Sequence, residues 1–131
     1  MNCKIRARSL VNPTEDLQKV IQSLSNVFEY DELELGEGYV EISGETSCLL
    51  PLKKYLEKNR IRDTARKILL KGTSPGEIIF KLSKQAAYVG KVNLMEDDLS
   101  SLGEIDVTIR AEDTDEVIDW LCEKEVDCIS Y

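Results

Sequence analysis

The 131-residue sequence contains no histidine. The imidazole group is the commonest general acid and base of enzymes, and it activates the nucleophile in Ser/His and Cys/His arrangements. No glycine-rich phosphate-binding loop is present either. These absences leave only carboxylate or metal chemistry as routes to catalysis, so we predict that the protein is not an enzyme.

Paired cysteine spacing is also missing. The four cysteines are Cys3, Cys48, Cys122 and Cys128. None of them forms a CxxC pair, so we expect no catalytic metal site and no cofactor. The acidic run at residues 96–98 supplies oxygen ligands for a hard cation, but a solvated turn explains it better. Buried free thiols are the expectation for the cysteines, with a bridge between Cys122 and Cys128 as the alternative.

Long apolar runs do not occur. The apolar stretches fall far short of the roughly 20 residues that a transmembrane helix needs. The first residues, MNCKIRARSLV, have no apolar core of the kind found in signal peptides. The hydrophobic content of 42% is ordinary for a globular protein. We expect one domain spanning residues 1–131, located in the cytoplasm and away from membranes.

The first segment of the chain alternates strictly between apolar and basic residues. In CKIRARSLV the side chains of Lys4, Arg6 and Arg8 fall on one side, which predicts a strand with one basic face. The following NPTED places Asn12 at the cap of a helix and Glu15 at the position of a capping box. The spacing predicts that this first helix ends near Asn26.

The remaining pattern consists of strands and two further helices. Strands are predicted at residues 28–35 and 39–42, joined by a turn at Gly36-Glu37-Gly38, and again at 78–82, 89–94 and 105–109. A long helix is predicted from residue 47 to 70, stopped by Gly72, and a last helix is capped by Asp113 or Thr114. This order favours an α+β fold, a two-layer sandwich with helices packed on one face of a mixed or mainly antiparallel sheet.

Charge is strongly segregated along the chain. Residues 53–91 contain 11 of the 17 lysine and arginine residues but only 3 of the 25 acidic residues. This segment carries a net charge of +8, whereas the rest of the chain carries −16. A protein with an overall charge of −8 therefore has one distinctly basic segment. Such a patch is typical of a surface that binds a polyanion, and RNA is the polyanion we predict.

Four cations follow each other at intervals of four residues in the long predicted helix. They are Lys54, Lys58, Arg62 and Arg66. On a continuous helix this spacing forms one stripe, and each like-charge pair destabilises the helix slightly. The apolar residues change phase near Asn59, so a kink or break there would divide the stripe into two patches. The alternative is a solvated helix face that pairs with acidic residues elsewhere.

A second basic stretch follows, with the sequence SKQAAYVGKVN. Lys84 and Lys91 are candidates for phosphate contacts, Gln85 for a base edge and Tyr88 for stacking. A packing role for Tyr88 is the alternative. The basic face of the first strand is a third candidate, with an exposed sheet face as its alternative. The predicted RNA-binding residues are therefore Lys54, Lys58, Arg60, Arg62, Arg66, Lys84, Gln85 and Lys91.

Three motifs together resemble a known family. They are VNPTED at residues 11–16, NRIRDTAR at 59–66 and KQAAYVGKVN at 84–93, with IDW at 118–120 as support. The chain resembles an archaeal family of small uncharacterised proteins catalogued as predicted RNA-binding. Its members are similar in fold to the ribosomal protein that binds 5S RNA, which implies helices against a curved sheet. The resemblance implies positions in the second and third motifs as site residues: Arg60, Arg62, Asp63, Arg66, Lys84 and Gln85.

A different function remains open beside RNA binding. The protein could act as an interaction or homodimeric assembly module with no nucleic-acid ligand. Its basic segment would then meet an acidic surface, such as the predicted hairpin of a second copy. The acidic residues of that hairpin are Glu29, Asp31, Glu32, Glu34, Glu37 and Glu41.

Overall fold

A computed structural model describes residues 3–95 and 104–122 of the chain. The strands are β1 Cys3–Leu10, β2 Glu32–Gly36, β3 Tyr39–Glu45, β4 Thr73–Ser74, β5 Glu77–Ser83, β6 Leu94–Met95 and β7 Glu104–Ala111. The helices are α1 Leu17–Val27, α2 Leu50–Lys58, α3 Arg62–Lys71, α4 Lys84–Tyr88 and α5 Thr114–Leu121. A turn of 3₁₀ helix at Thr46–Leu49 precedes α2.

The strands form one antiparallel sheet in the order β2-β3-β1-β7-β5-β4, and β6 pairs with β5. The described helices cover one face of this sheet, and side chains on the other face, such as those of Lys4 and Arg6, are exposed. The predicted α+β class is confirmed, and the sheet is antiparallel rather than mixed. Within the described ranges, no helix combines the length and apolar character that crossing a membrane requires.

Strand β1 lies at the centre of the sheet between β3 and β7. Its residues alternate between buried and exposed along the whole strand, so Ile5 and Ala7 face the core while Arg6 faces solvent. This confirms the predicted register of the first strand, because a shift by one residue would bury the cations. Packed against the sheet are buried residues of the helices, namely Val20, Leu24, Leu52, Leu56, Leu69, Val117 and Ile118.

Helix α1 begins later than predicted. The cap is Asp16, whose carboxylate accepts a hydrogen bond from the Gln18 N–H at 3.0 Å. Residues 12–15 form a turn instead, in which the Glu15 N–H donates to the Asn12 carbonyl at 2.9 Å. The predicted capping box is therefore only half right. Glu15 does accept from the Asn12 N–H, at 2.9 Å, but it closes a turn in front of the helix.

The long predicted helix is divided at the predicted position. Helix α2 ends at Lys58 and α3 starts at Arg62, with Arg60 between them at a φ of 53°. A positive φ is uncommon for a residue with a side chain, and it turns the chain sharply here. The turn lets the apolar residues on both sides of the phase change reach the same core. Helix α3 stops before Gly72, where a Cβ atom would collide with the carbonyl of Ile79.

The strand predicted at residues 89–94 is wrong. Helix α4 occupies Lys84–Tyr88, and its cap, Ser83, accepts from the Ala86 N–H at 3.3 Å. Gly90 then turns the chain with a φ of 75°, and only Leu94–Met95 pairs with β5. The small residues of KQAAY suit a short helix, which the weak apolar alternation of the following segment concealed.

The predicted strands at 78–82 and 105–109 lie within β5 and β7. The predicted hairpin exists, with Glu37 and Gly38 as its turn, but its first strand begins at Glu32 rather than near residue 28. Asp113 caps α5, as predicted, by accepting from the Glu116 N–H at 3.0 Å.

Cys3, Cys48 and Cys122 are buried free thiols. Cys128 lies outside the described residues, as does the acidic run at 96–98. Among the described residues, no group of three or more potential ligands could hold a metal ion.

Candidate nucleic-acid interface

Three cations at the junction of α2 and α3 project into solvent. Lys54 and Lys58 lie one helical turn apart on α2, and Arg60 occupies the sharp turn that follows. None of the three has an ion-pair partner within the described ranges. We call Lys54, Lys58 and Arg60 the α2–α3 basic surface. Because solvent reaches all three side chains, a phosphate can approach them without breaking an ion pair to any described residue.

The first turn of α3 lies beside this surface and contains both the helix N-terminus and the acidic Asp63. Ile61, at the cap position, offers no side-chain hydrogen bond to the helix. The N-terminal end of an α-helix carries a partial positive charge, because its first N–H groups have no partner within the helix. The carboxylate of Asp63 in the same turn offsets this partial charge, so Lys54, Lys58 and Arg60 supply the positive potential of the surface.

Arg66 serves a different purpose from the one predicted. Its Nη1 donates to Asp119 Oδ1 at 2.7 Å and its Nη2 donates to the carbonyl of Cys122 at 3.0 Å. The side chain is 25% exposed. The prediction of one continuous stripe is therefore wrong. Arg66 points towards α5 and links that helix to α3, instead of facing solvent beside Lys54 and Lys58.

Other cations gather round the same end of α5. Lys53 lies over the ring of Trp120, with Nζ 5.4 Å from the ring centroid. Burial raises the pKa of the Cys122 thiol to about 11, and the charges of Arg66, Arg62 and Lys53 partly oppose this rise. Arg62 is half-buried. The cations of the basic segment therefore fall into two groups: some contact α5 and stabilise its position, and others are exposed on the surface.

Replacing Arg66 by methionine is expected to lower the free energy of unfolding by about 1–2 kcal/mol, since a hydrogen bond from a charged donor is lost and a carbonyl loses its partner. Denaturant titration measures this change. The matched control is Lys67→Met, one residue away and exposed, for which we expect a change below about 0.5 kcal/mol. Equal effects of the two variants would show that the contacts of Arg66 with α5 contribute nothing.

Lys84 is buried, so its predicted phosphate contact is wrong. Its exposure is 1%, and its Nζ donates to the Leu10 carbonyl at 2.7 Å and to the two carboxylate oxygens of Glu15 at 2.9 and 3.1 Å. The Tyr88 hydroxyl donates to Glu15 Oε2 at 2.8 Å, which is the packing role that we set against stacking. Four groups thus satisfy one another at the junction of β1, α1 and α4.

The electrostatics of this junction follow from its contacts. Burial alone would raise the pKa of Glu15, but hydrogen bonds from Asn12, Lys84 and Tyr88 outweigh it and hold the pKa below its ordinary value. Burial and the bond to Glu15 raise the pKa of Tyr88 to about 12. The carboxylate of Glu15 is therefore ionised at neutral pH and the phenol of Tyr88 is not. The motifs VNPTED and KQAAYVGKVN meet here because one supplies the carboxylate and the other the ammonium group.

Gln85 and Lys91 remain exposed, as their predicted roles require. Gln85 lies in the first turn of α4, and the Lys91 N–H donates to the Ala86 carbonyl at 2.9 Å, which folds the loop back onto the helix. Helix α4 packs mainly against α1. These two side chains form a second polar group on the surface, carried by an element other than α2 or α3.

Ion pairs occupy much of the basic face of β1. Glu41 Oε1 lies 3.2 Å from Arg8 Nε and Glu41 Oε2 lies 3.6 Å from Arg6 Nε. The Arg8 guanidinium also stacks on the ring of Tyr39, 4.2 Å from its centroid. The open face of the sheet is therefore largely neutralised, which favours the alternative that we gave for it, an exposed sheet face.

A family model and several archaeal proteins match the sequence of this chain. A family model described as RNA binding matches residues 4–111. A UPF0201 protein of Methanothermobacter thermautotrophicus is 40% identical over 118 residues, which cover 90% of this chain and 89% of that protein. A UPF0201 protein of Sulfurisphaera tokodaii is 43% identical over 120 residues, covering 87% and 83% respectively.

Solved structures agree with the fold described above. The crystal structure of an uncharacterised UPF0201 protein matches with a TM-score of 0.81 and 32% identity, covering 92% of this chain and 94% of that one. The UPF0201 protein from Methanococcus jannaschii gives a TM-score of 0.71 and 34% identity, covering 93% and 99%. The likeness to the ribosomal protein that binds 5S RNA stays a prediction.

Proposed function

The chain belongs to the archaeal UPF0201 family and matches a family model described as RNA binding, and from this premise we propose that it is a noncatalytic RNA-binding protein that holds phosphates on the α2–α3 basic surface. The observation that carries the proposal is the exposure of Lys54, Lys58 and Arg60 without intramolecular ion-pair partners among the described residues. In a chain with a net charge of −8, such a group of cations is a distinct anion-binding surface.

The three side chains suit different parts of a phosphate contact. Lys54 and Lys58 act as compact point charges, and their Cβ atoms are about 5–6 Å apart because they lie four residues apart on one helix. Arg60 supplies a planar guanidinium group that can donate hydrogen bonds to two phosphate oxygens at once. Arg60 lies in the turn between the two helices and is exposed. Consecutive phosphates of one strand are the ligand that this spacing fits.

Gln85 and Lys91 are proposed as a second, separate contact with RNA. Lys91 adds a phosphate contact, and the amide of Gln85 both donates and accepts, which allows it to read the edge of an unpaired base. Arg62 and Arg66 were predicted as phosphate contacts but are not needed, because the surface of Lys54, Lys58 and Arg60 stands without them. Lys84 is excluded because it is buried.

A salt series tests the proposal directly. We expect RNA to bind at low salt, with a slope of log affinity against log salt near −2 to −3, from about −0.7 for each of three or four single-strand phosphate contacts. Transfer RNA, ribosomal RNA fragments and unstructured RNA serve as ligands in fluorescence anisotropy. The assembly alternative predicts no RNA binding, together with self-association in sedimentation. The proposal is removed if no RNA binds at low salt, or if the affinity for RNA does not depend on salt.

A further inference from the structure

Strand β2 is an open edge of the sheet. It pairs with β3 and with no other described strand, so one row of its backbone N–H and C=O groups faces outward. All its residues from Glu32 to Leu35 are exposed. A bare edge of this kind is a template for pairing with another extended chain.

The two sides of β2 differ sharply in character. Leu33 lies opposite Ile42 and Leu35 opposite Val40, and both partners on β3 are fully buried, so the two leucines stand on the helix side of the sheet. They are nevertheless 36% and 54% exposed. The helical layer therefore stops short of this edge. On the other side of the strand, Glu32 and Glu34 project into solvent.

The sequence around β2 is rich in acidic residues. No lysine or arginine occurs between Lys19 and Lys53 in the sequence. Seven acidic residues lie in that interval, namely Glu29, Asp31, Glu32, Glu34, Glu37, Glu41 and Glu45. Arg6 and Arg8 both contact the carboxylate of Glu41, and Lys4 lies opposite Glu45 in the register of β1 and β3. Among the described residues no cation forms an ion pair with Glu32 or Glu34, so the negative charge of β2 itself is uncompensated.

We propose that the edge of β2 binds an extended segment of a partner protein in which lysine or arginine alternates with aliphatic residues. The segment adds a strand beside β2, so main-chain hydrogen bonds supply affinity and alternate side chains supply specificity. Its cations lie over Glu32 and Glu34 on one side, and its aliphatic residues cover Leu33 and Leu35 on the other. Such a segment would pair with the free backbone groups of β2, neutralise its glutamates and cover its exposed leucines.

The same observations argue against two other occupants. RNA is repelled by a surface with this charge. A second copy paired through β2 brings Glu32 and Glu34 close to the same carboxylates of its partner, and like charges on adjacent strands are destabilising. The basic strand of a second copy, β1, is already paired on both of its edges. The occupant is therefore a different protein.

The test uses the intact chain and a fluorescent synthetic peptide of alternating lysine and valine. We expect anisotropy to report binding, and amide exchange in Glu32–Gly36 to slow when the peptide is present. An analogue with methyl groups on alternate backbone nitrogens keeps its charge and side chains but cannot donate to β2. Its affinity is expected to fall by more than about tenfold, since several main-chain hydrogen bonds are lost.

Variants identify the surface and separate it from the RNA site. E32K/E34K and, separately, L33S/L35S are each expected to weaken peptide binding by about tenfold or more. The matched control K54E/K58E should leave peptide affinity unchanged while it weakens RNA binding. The proposal is overturned if the peptide fails to bind, if the methylated analogue binds equally well, or if E32K/E34K has no effect.

Discussion

Replacing Glu15 by alanine is expected to lower the free energy of unfolding by about 3–5 kcal/mol, the cost of leaving a buried charge without its partner. The ammonium group of Lys84 is almost completely enclosed and has Glu15 as its counter-charge. The Leu10 carbonyl alone cannot compensate that charge. Denaturant unfolding monitored by circular dichroism measures the loss.

A double variant distinguishes this cause from general damage to the turn. Glu15→Ala combined with Lys84→Met removes both charges, so we expect it to be more stable than Glu15→Ala alone, because a pair replaced by apolar groups costs little. The Arg8–Glu41 pair is the matched control. Its cation is 49% exposed, so Glu41→Ala leaves no buried charge and should cost less than about 1 kcal/mol. If the double variant is no more stable than the single one, Lys84 is not the reason for the loss.

The dependence of stability on pH provides an independent check. The pKa of Glu15 in the folded protein is held below its ordinary value of 4.5. A lowered folded-state pKa stabilises the fold fully above the unfolded value, and this contribution disappears as the pH falls through the folded value. Wild type should therefore lose stability below about pH 4.5 more steeply than the double variant, which has no carboxylate at this position.

The variant K54E/K58E/R60E is expected to bind RNA about a hundredfold more weakly at 0.1 M salt, because three phosphate contacts each contribute about 0.7 of a decade under that condition. The slope of log affinity against log salt should become shallower by about 2 for the same reason. The weakening should be similar for RNAs of different sequence, since phosphate contacts carry no sequence information. Thermal unfolding should change little, because exposed charges contribute little to stability.

The control must have the same change in net charge. K4E/K19E/R110E reverses three exposed cations on the open face of the sheet and on α1, away from the α2–α3 basic surface. We expect RNA affinity to remain within about threefold of wild type, the residual effect of long-range screened charge. If both variants lose affinity equally, binding follows the total charge. If K54E/K58E/R60E binds like wild type, the surface is not the site.

Local pattern predicted the elements that depend on neighbouring residues. Alternation placed β1 and β7 correctly, since burial of one sheet face requires a period of two. The change of apolar phase near Asn59 predicted the break between α2 and α3. The start of α1 was missed because the segment contains two acceptable caps, Asn12 and Asp16, and the sequence alone does not show which one the helix uses.

The site was predicted less well because its chemistry depends on distant partners. Lys84 and Glu15 are 69 residues apart, and Arg66 and Asp119 are 53 apart. No periodicity within a helix or strand reveals that a cation will meet a carboxylate on another element. Lys54, Lys58 and Arg60 were placed correctly on the surface because no distant acidic residue of the described chain reaches them.

The position of β1 determines when the sheet can be completed. β1 leaves the ribosome well before β7, one of its two neighbours in the sheet, because the paired residues Cys3 and Ala111 lie far apart in the sequence. Early in synthesis, residues 3–45 can form only the β1, β3 and β2 part of the sheet, and one side of its central strand stays bare until the chain has grown past residue 111. Bringing β7 to β1 closes a long loop, which is slow, and one edge of β1 stays exposed until this happens. Lys4, Arg6 and Arg8 place three positive charges along this exposed strand, and like charges on adjacent strands disfavour its pairing with β1 of a neighbouring nascent chain.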